Sequence, residues 1–500
     1  MREIVAGVKT PGVAVWRGMR EVLPGALVTV GRDGLREHVY WRLTPRHHRD
    51  DRQTTIVRLR ELLRDTVRRQ LVSDVPASVL LSGDLESSAV AGFAAGELAE
   101  RGKRVRSLSV GFAEGADNIG PDGVYVNPDA PYVRAVVDHL GTDHTDLLLD
   151  HASLADPAVR EAAVVARDMP VGRGDMDHAF LLQCQAIRES STVVLSDEGV
   201  NETFGDYRWF HDPMVGAAEG FPWLSAVTGR VRQERPYLRS ELAQALDIPG
   251  FTTQHYRDAV AETPVLDDED ADTRRRRELL YLHLTRSLPG TLDRKDRMSM
   301  AVGLQVRVPF CDHRITEYAF NIPWSLHVFG GREKSVLRAA SCAVVPPVVL
   351  RRVRNPYPAI RGRRYLESLR RQALEVAAEP GHDVFTLVDR CFVRRAAEVE
   401  PGQPPRQRWL ALEKLLDLRV WLDHYRPRLV LARALRYGAS VPHCRTPWSS
   451  PAAGGRPTEP QAVELDVRSV HGLRPTVTAA ARSTSPRGRQ APPPGSACQR

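Results

Sequence analysis

The feature that most constrains the fold is an alternation of short apolar runs with longer helical segments between residues 54 and 195. In the first segment, Ile56, Leu59 and Leu63 recur at steps of three and four, which is the spacing of one helix face. In chain order the pattern predicts a helix at 54–73, a strand at 78–81, a helix at 87–100, a strand at 105–112, a helix at 130–140, a strand at 146–149, helices at 152–167 and 175–190, and a strand at 192–195. This alternation predicts an α/β fold with a doubly wound parallel sheet.

The two ends of the chain read differently from this middle part. Residues 1–50 contain short strand-like pieces between turn residues, which is typical of the end of a β-rich domain. From about 270 to 435 the pattern becomes mainly helical, with a last amphipathic helix at 407–424. Residues 438–500 are rich in Pro, Ser and Arg without periodicity, which predicts a disordered tail or a frame-shifted end.

Composition excludes several function classes. The 500 residues are 42% hydrophobic and 26% charged, as in an ordinary soluble protein, and no apolar run is long enough to span a bilayer. The start shows no signal-peptide pattern, so we expect a cytoplasmic location. Six scattered cysteines predict neither a disulfide framework nor a zinc site. The formal net charge of +8 lacks the basic stripe with interleaved aromatics that nucleic-acid binding requires, so neither nucleic acid nor membrane is an expected partner.

A candidate phosphate loop lies between a strand and a helix, in Leu80-Leu-Ser-Gly-Asp-Leu-Glu-Ser-Ser88. Backbone N–H groups at such a turn and the positive end of the helix dipole attract anions. Ser82, Ser87 and Ser88 can add hydroxyl donors. Ser87 could equally serve as the helix N-cap, so the loop alone does not decide between the two roles.

The wider sequence resembles the PP-loop ATP pyrophosphatases, and within them the asparagine synthetase family. The loop at 80–88 resembles the family's Ser-Gly-Gly-Leu-Asp-Ser-Ser, and Ser109-Val-Gly-Phe112 resembles its adenine-binding strand end. Residues 195–207, 296–312 and 331–338 resemble three further blocks, in the same order and spacing. The resemblance covers about residues 10–435. Five ordered blocks are far more specific than one Gly-containing loop.

The resemblance implies a fold of the adenine-nucleotide α-hydrolase type and a two-step amide ligation. The aspartate side-chain carboxylate attacks the α-phosphorus of ATP, pyrophosphate leaves, and ammonia converts the β-aspartyl-AMP to asparagine and AMP. Such chemistry needs backbone N–H groups, Mg²⁺ and a side-chain cation around the phosphates. ATP, aspartate and ammonia are therefore the expected small molecules, and Mg²⁺ is the expected metal.

The matching positions imply specific roles. Lys334 and Arg338 would stabilise phosphate charge, and Glu198 would take the proton of the attacking amine or orient aspartate. The expected ATP-binding residues are Leu81, Ser82, Gly83, Ser87, Ser88, Val110, Gly111 and Ser196. The expected substrate-binding residues are Asp296, Arg297 and Arg307, and the expected metal ligands are Glu86 and Asn201. Each also has a plain structural reading, as a core residue, a helix-start residue or part of an ion network.

The chain departs from the family pattern within the site itself. Asp84, Asp197 and Asp206 replace glycines, whereas Glu86 and Asn201 replace aspartates. A carboxylate about 4 Å from a phosphate charge costs on the order of 4 kcal/mol at an effective dielectric near 20. Either the altered loops impair binding, or Asp84 or Asp197 has become a metal ligand.

The resemblance also defines what the N-terminal part lacks. The family's glutaminase half is an Ntn-type amidotransferase domain that begins with Cys after Met, whereas Arg2 follows Met1 here and no Cys precedes Cys184. Residues 1–50 then read as a remnant of that domain, 54–435 as the synthetase domain, and 438–500 as the tail. We expect no glutamine hydrolysis, with ammonia coming from solution or from a separate glutaminase subunit; a homodimer is the other partner arrangement considered.

Three functions remain open from the sequence. The first is an ammonia-dependent asparagine-forming ligase. The second is an amide-forming cyclase of secondary metabolism, like the lasso-peptide and β-lactam synthetases, although Glu198 stands where β-lactam synthetases carry Tyr. The third is a degenerate paralogue that folds without turning over.

Overall fold

The protein is described by a computed structural model. The model describes residues 2–112, 129–170, 172–212, 219–224, 237–353, 363–398, 406–430 and 464–466. Among these residues, none of the helices combines the length and the apolar character needed to cross a bilayer.

A five-stranded parallel sheet forms the centre of the α/β part. In chain order the strands are β1 Ala26–Gly31, β2 Gly34–Val39, β3 Ala77–Leu80, β4 Arg106–Phe112, β5 Asp143–Leu149, β6 Val193–Leu195, β7 Gln305–Arg307, β8 Arg428–Val430 and β9 Glu464–Asp466. The large sheet has the order β5-β4-β3-β6-β7, and each neighbouring pair is parallel. β1 and β2 form a separate antiparallel hairpin, and β8 pairs antiparallel with β9. The expectation of an α/β fold with a parallel sheet is confirmed.

Helices cover the sheet and build the C-terminal part. They are α1 Arg2–Ala6, α2 Arg52–Gln70, α3 Leu85–Ala99, α4 Ala130–Leu140, α5 Pro157–Arg167, α6 Asp175–Ser190, α7 Val200–Phe204, α8 Arg208–His211, α9 Ser240–Leu246, α10 Ile248–Ala261, α11 Ala271–Leu282, α12 Leu288–Ala301, α13 His313–Asn321, α14 Trp324–His327, α15 Ser335–Ser341, α16 Pro347–Leu350, α17 Arg363–Ala377, α18 Arg390–Glu398 and α19 Arg406–Tyr425. Short 3₁₀ turns occupy His151–Ala155, Pro309–Cys311, Phe329–Gly331 and Asp383–Thr386.

A π-helical turn, His283–Ser287, joins α11 to α12. Pro289 follows directly, near the start of α12. Proline has no N–H to donate, and in a regular α-helix its ring would clash with the carbonyl of Thr285. The wider π turn is a local adjustment of the kind that accommodates such a break in the hydrogen-bond ladder.

The sheet order creates a switch point between β3 and β6. From β3 the chain moves outward to β4 and β5, and then returns to the other side of β3 to form β6. The connections that follow β3 and β6 therefore lead to opposite sides along the sheet, to β4 and to β7, and leave a crevice at the carboxyl ends of these two strands. Open α/β sheets bind their ligands at such a crevice.

The boundaries differ from the sequence-based expectation at three places. The segment expected to be one helix at 152–167 is a 3₁₀ turn followed by α5, because Asp156 caps a new helix start by accepting from the N–H of Ala158. β5 begins three residues early, at Asp143, and β7 lies in a region expected to be mainly helical. The predicted tail at 438–500 lies outside the described residues, except for β9.

The helical part has its own core, which includes the N-terminal segment. Val5 and Ala6 of α1 are buried with residues of α9, α17 and α19. Trp16 stacks on Trp421 of α19 at a ring-centroid distance of 5.2 Å. The first part of the described N-terminal segment, with α1 and Trp16, thus packs on the helices of the C-terminal part; whether residues 1–50 are a domain remnant stays a prediction.

Candidate active site

Two loops meet at the switch point. The first loop, residues 81–84, follows β3, and the second loop, residues 196–199, follows β6; Val79 and Leu195 are register partners on these neighbouring parallel strands. Gly83 has a φ of +76°. A Cβ at this position would lie 2.8 Å from Tyr132 Cβ and 2.8 Å from the Val133 backbone nitrogen, both in α4. Only glycine fits that position, which keeps the loop tight against the start of α4.

Three hydroxyls line the first loop. Ser87 Oγ accepts from the Ser82 N–H at 3.1 Å and lies 2.9 Å from Ser82 Oγ. Ser88 Oγ is buried and has no hydrogen-bond partner within the described residues. A buried hydroxyl without a partner beside a helix start is a donor that an anion could use.

Lys334 is buried at the junction of both loops. Its Nζ donates to Asn201 Oδ1 at 2.8 Å and pairs with Asp206 Oδ2 at 2.7 Å and with Glu86. Lys334 stands at the start of α15 with a φ of +52°, so its backbone adopts a conformation that non-glycine residues rarely take. The predicted cation, both predicted metal ligands and the substituted Asp206 thus form one group, called here the Lys334 cluster.

Sequence reasoning missed a second buried cation, Lys295. Its Nζ donates to Ser196 Oγ at 3.0 Å and forms an ion pair with Glu198, and Ser196 Oγ donates to Glu198 Oε2 at 2.6 Å. Lys295 lies on α12, one residue before the Asp296-Arg297 pair that was singled out. The signal was available, because helix geometry rotates Lys295 by about 100° from Asp296, so the two side chains leave α12 in different directions.

Sequence reasoning also missed a third buried cation, Arg352. Its guanidinium pairs with Asp84 at 3.3 Å and with Asp129, and its Cζ lies 4.2 Å from the ring centroid of Tyr132. Nothing in the local sequence connects residue 352 with the first loop, since the contact joins positions 268 residues apart.

The carboxylates of the two loops carry shifted pKa values. Burial raises the pKa of Asp84 to about 6, although the guanidinium of Arg352 opposes the shift. Burial, with the neighbouring Glu198 and Glu86 carboxylates, raises the pKa of Asp197 to about 7. Burial would also raise the pKa of Glu198, but the Lys295 ammonium and the Ser196 hydroxyl outweigh it and hold that pKa below its usual value. Glu198 is therefore ionised at neutral pH and can accept a proton.

The Lys334 cluster has the donor chemistry that Mg²⁺ prefers. The carboxylate oxygens of Glu86 and Asp206 and the amide oxygen of Asn201 surround the position that the Lys334 ammonium occupies. Among the described residues, no three acidic, His or Cys side chains are arranged to hold a metal unaided. The residues fit a Mg²⁺ ion that takes its remaining ligands from phosphate oxygens and water.

The expected adenine-side residues lie at the carboxyl ends of β3 and β4. Leu81 is buried, and its N–H donates to the Leu108 carbonyl at 2.8 Å. Val110 packs against the core beneath the sheet, and Gly111 follows it. Since β4 is the neighbour of β3, the structure brings these residues beside the first loop.

Four predicted residues make other contacts. Arg307 donates to the carbonyls of Gln70 and Val72 at the end of α2. Arg338 donates to the carbonyls of Glu333 and Leu350. Arg297 pairs with Asp293 at 2.8 Å, and Asp296 is exposed. These contacts do not bring the four residues into the two loops, and their roles towards substrate or phosphate stay predictions.

Several known proteins are similar to this chain in sequence. A family model described as asparagine synthase matches residues 58–423. The chain is 33% identical over 427 residues to a glutamine-hydrolyzing asparagine synthetase 3 of Bacillus subtilis strain 168, covering 84% of this chain and 68% of that protein. It is 26% identical over 409 residues to amidase chry2 of Gibberella zeae (68% and 58% covered) and 24% identical over 394 residues to a glutamine-hydrolyzing asparagine synthetase of Gallus gallus (76% and 57% covered). The chain thus spans between about half and two thirds of the length of these curated relatives.

Proposed function

The chain belongs to the asparagine synthase family, and from that premise we propose that it is an ATP-dependent ligase that converts aspartate to asparagine through β-aspartyl-AMP. The observation that carries the proposal is the meeting of the two loops around buried Lys334 at the switch point of the sheet. A buried cation near a helix start where the Ser88 hydroxyl has no partner among the described residues suits a ligand with several negative charges.

In this proposal the first loop binds the phosphates. Gly83 lets the backbone approach the anion, and Ser82, Ser87 and Ser88 donate hydroxyl hydrogens. Leu81, Val110 and Gly111 border the adenine, and Ser196 borders the phosphates from the second loop. Lys334 stabilises the negative charge that grows on the leaving pyrophosphate, because a cation in a dry site interacts strongly with that charge.

Glu86, Asn201 and Asp206 would hold Mg²⁺ in the proposed site. When bound, the ion neutralises phosphate charge and orients the triphosphate. The Lys334 ammonium stands among the same oxygens, so it keeps these carboxylates paired before nucleotide and metal arrive.

Glu198 is proposed as the proton acceptor for the attacking amine. An ionised carboxylate is needed for that task, and Lys295 supports this state by direct pairing. Lys295 also fixes Ser196, so it connects the proton acceptor with the nucleotide side of the second loop.

We further propose ammonia as the nitrogen source of this chain, supplied from solution or by a separate subunit. Glutamine hydrolysis by a cysteine needs a thiolate. Burial raises the pKa of Cys184 to about 12 and that of Cys311 above its usual range, so the two thiols next to the second loop stay protonated.

The test is a pyrophosphate-release assay with ATP, Mg²⁺, aspartate and either ammonium or glutamine. We expect release that depends on aspartate, and asparagine formation with ammonium but not with glutamine. Release without aspartate, or none in any mixture, would contradict the ligase proposal; asparagine formed equally well from glutamine would contradict only the nitrogen source.

The alternative of an impaired paralogue is addressed by restoring the family residues together, as Asp84→Gly, Glu86→Asp, Asp197→Gly and Asn201→Asp. The pairing of Asp84 with Arg352 argues against impairment, because the carboxylate that replaces a family glycine has a buried cationic partner. A large rise in pyrophosphate release in the fourfold variant would favour impairment instead.

A further inference from the structure

Arg352 is the buried cation nearest to the first loop that the proposed chemistry does not use. Its side chain is only 2% exposed and lies in the segment that follows α16. It contacts the loop at two points, the Asp84 carboxylate at 3.3 Å and the Ser82 carbonyl at 3.5 Å. The Nε–H of Arg352 is buried and has no hydrogen-bond partner among the residues described.

The position of Arg352 is fixed by two other arginines. Arg338 donates to the carbonyls of Leu350 at 2.9 Å and Arg352 at 3.4 Å. Arg332 donates to the carbonyls of Arg351 at 3.1 Å and Arg352 at 3.4 Å. The backbone turn that presents the Arg352 guanidinium is therefore held from the segment that also carries Lys334.

Asp84 is the residue that needs such a partner. It is the N-cap of α3, but its side chain makes no capping hydrogen bond. Its carboxylate instead pairs with Arg352 at 3.3 Å, and an incoming triphosphate at the first loop would meet a like charge there. An opposite charge within about 4 Å compensates much of that repulsion.

We propose that Arg352 is a positioning residue that sets the affinity of the first loop for a nucleoside triphosphate, acting through Asp84. The guanidinium neutralises the Asp84 carboxylate and draws it towards Asp129 and Tyr132, at the start of α4. Arg352 thus offsets the charge of Asp84 in a loop that must receive an anion. The inference rests on the proposed function, because the triphosphate of ATP is its ligand.

The balance of charge around Asp84 depends on Arg352. The charged groups that face Asp84 are Arg352, Lys334, Glu86, Asp129 and, from the second loop, Asp197. Without Arg352, four carboxylates surround one lysine, so the Asp84 carboxylate repels an incoming triphosphate.

The experiment is calorimetry of Mg²⁺–ATP binding to the full chain at pH 8. The variants are Arg352→Met, Asp84→Asn, their double variant, and Arg352→Lys, which keeps the charge. Arg351→Met is the matched control, because it removes the same charge from the neighbouring exposed residue. Thermal melting of each variant establishes that the protein is folded at the temperature of the titration.

We expect Arg352→Met to weaken binding at least tenfold, and Arg352→Lys and Arg351→Met to stay within threefold of the wild type. In the Asp84→Asn background, Arg352→Met should change the affinity less than threefold. An equal loss in both backgrounds, or no loss in either, overturns the inference. Absence of Mg²⁺–ATP binding by the wild type overturns the proposed function together with the inference, so the two failures are distinguishable.

Discussion

Lys334 illustrates how one residue can carry both stability and chemistry. It is 3% exposed and pairs with the carboxylates of Glu86 and Asp206. Removing one partner of a buried ion group leaves the other charges uncompensated, which costs about 3–5 kcal/mol. The same ammonium is the cation proposed to act on the phosphates, so a single substitution tests both roles.

We expect Lys334→Met to reduce pyrophosphate release more than a hundredfold and to lower the free energy of unfolding by about 3–5 kcal/mol in urea denaturation. Adding Glu86→Gln and Asp206→Asn should recover most of the stability, but not the activity. Lys103→Met, at an exposed position, is the control. Full activity in Lys334→Met would rule out its catalytic role.

Gly83 constrains the first loop because α4 leaves no room for a side chain there and because its φ is positive. Gly83→Ala places a Cβ 2.8 Å from α4 at a φ of +76°, so we expect a loss of about 1–3 kcal/mol and weaker Mg²⁺–ATP binding. Gly96→Ala, in the last turn of α3 with open space around its Cβ position, should stabilise by up to about 1 kcal/mol. Equal effects in both variants would show that the loop geometry does not matter.

For individual residues, the sequence predicted those that lie in recognisable family blocks and missed those whose role depends on a contact with a distant part of the chain. Lys334, Glu86 and Asn201 come from three separate blocks and meet in the structure. Arg352 has no block of its own, because its importance comes from a contact with the substituted Asp84. A single sequence does not contain the distance between two such positions.

Among the elements, a buried ion network joins α5 to α19. Arg160 of α5 donates to Asp417 at 2.6 Å and to Glu413 at 2.7 Å, and all three side chains are buried. These contacts connect the sheet-covering helices with the helical part. The network is therefore a candidate for the strongest polar connection between these two parts within the described residues.

We expect Arg160→Met to lower the free energy of unfolding by about 3–5 kcal/mol, because Glu413 and Asp417 would stay buried without their cation. Arg208→Met removes an arginine that is 86% exposed and 4.0 Å from its partner, Asp212, and should cost less than about 1 kcal/mol. Chemical denaturation of both variants provides the comparison, and a small effect of Arg160→Met would contradict the prediction.

The elements also show where sequence patterns fail. β5 starts with Asp143-His144-Thr145-Asp146, which are polar and largely exposed because β5 is an edge strand. Only its last residues give an apolar signal, so the expected strand began too late. β7 follows a helix and is only three residues long, so it is too short to be detected by its periodicity.

For the molecule as a whole, two buried histidines set a pH limit on stability. Burial lowers the pKa of His283 to about 3 and that of His327 to about 4. Both rings stay neutral in the folded protein, whereas in the unfolded chain they take a proton below about pH 6.5. The contribution of these neutral rings to the free energy of unfolding is complete above about pH 6.5 and is lost as the pH falls towards 4.

We expect the free energy of unfolding to fall by about 2 kcal/mol per histidine between pH 6.5 and pH 5, measured by urea denaturation at each pH. His327→Met should flatten this dependence, while His38→Gln, at an exposed site in β2, should leave it unchanged. An unchanged slope in His327→Met would show that other groups govern the acid limit.

The general architecture followed from the sequence, whereas the arrangement of the helical part did not. Alternating strands and helices dictate a parallel sheet with a crevice at its switch point. The helical core brings α1 together with α9, α17 and α19, and these contacts depend on shape complementarity among many similar apolar faces. Periodicity identifies such faces, but not which faces pair.

The π-helical turn between α11 and α12 determines the rotational phase of everything that follows it on that helix. A π turn contains about one residue more than an α turn, and each residue rotates a helix by about 100°. Removing this surplus residue would swing Lys295 away from Ser196 and Glu198 and bring a neighbour in its place. The chemistry proposed for the second loop therefore depends on an irregularity that lies more than one helical turn before Lys295.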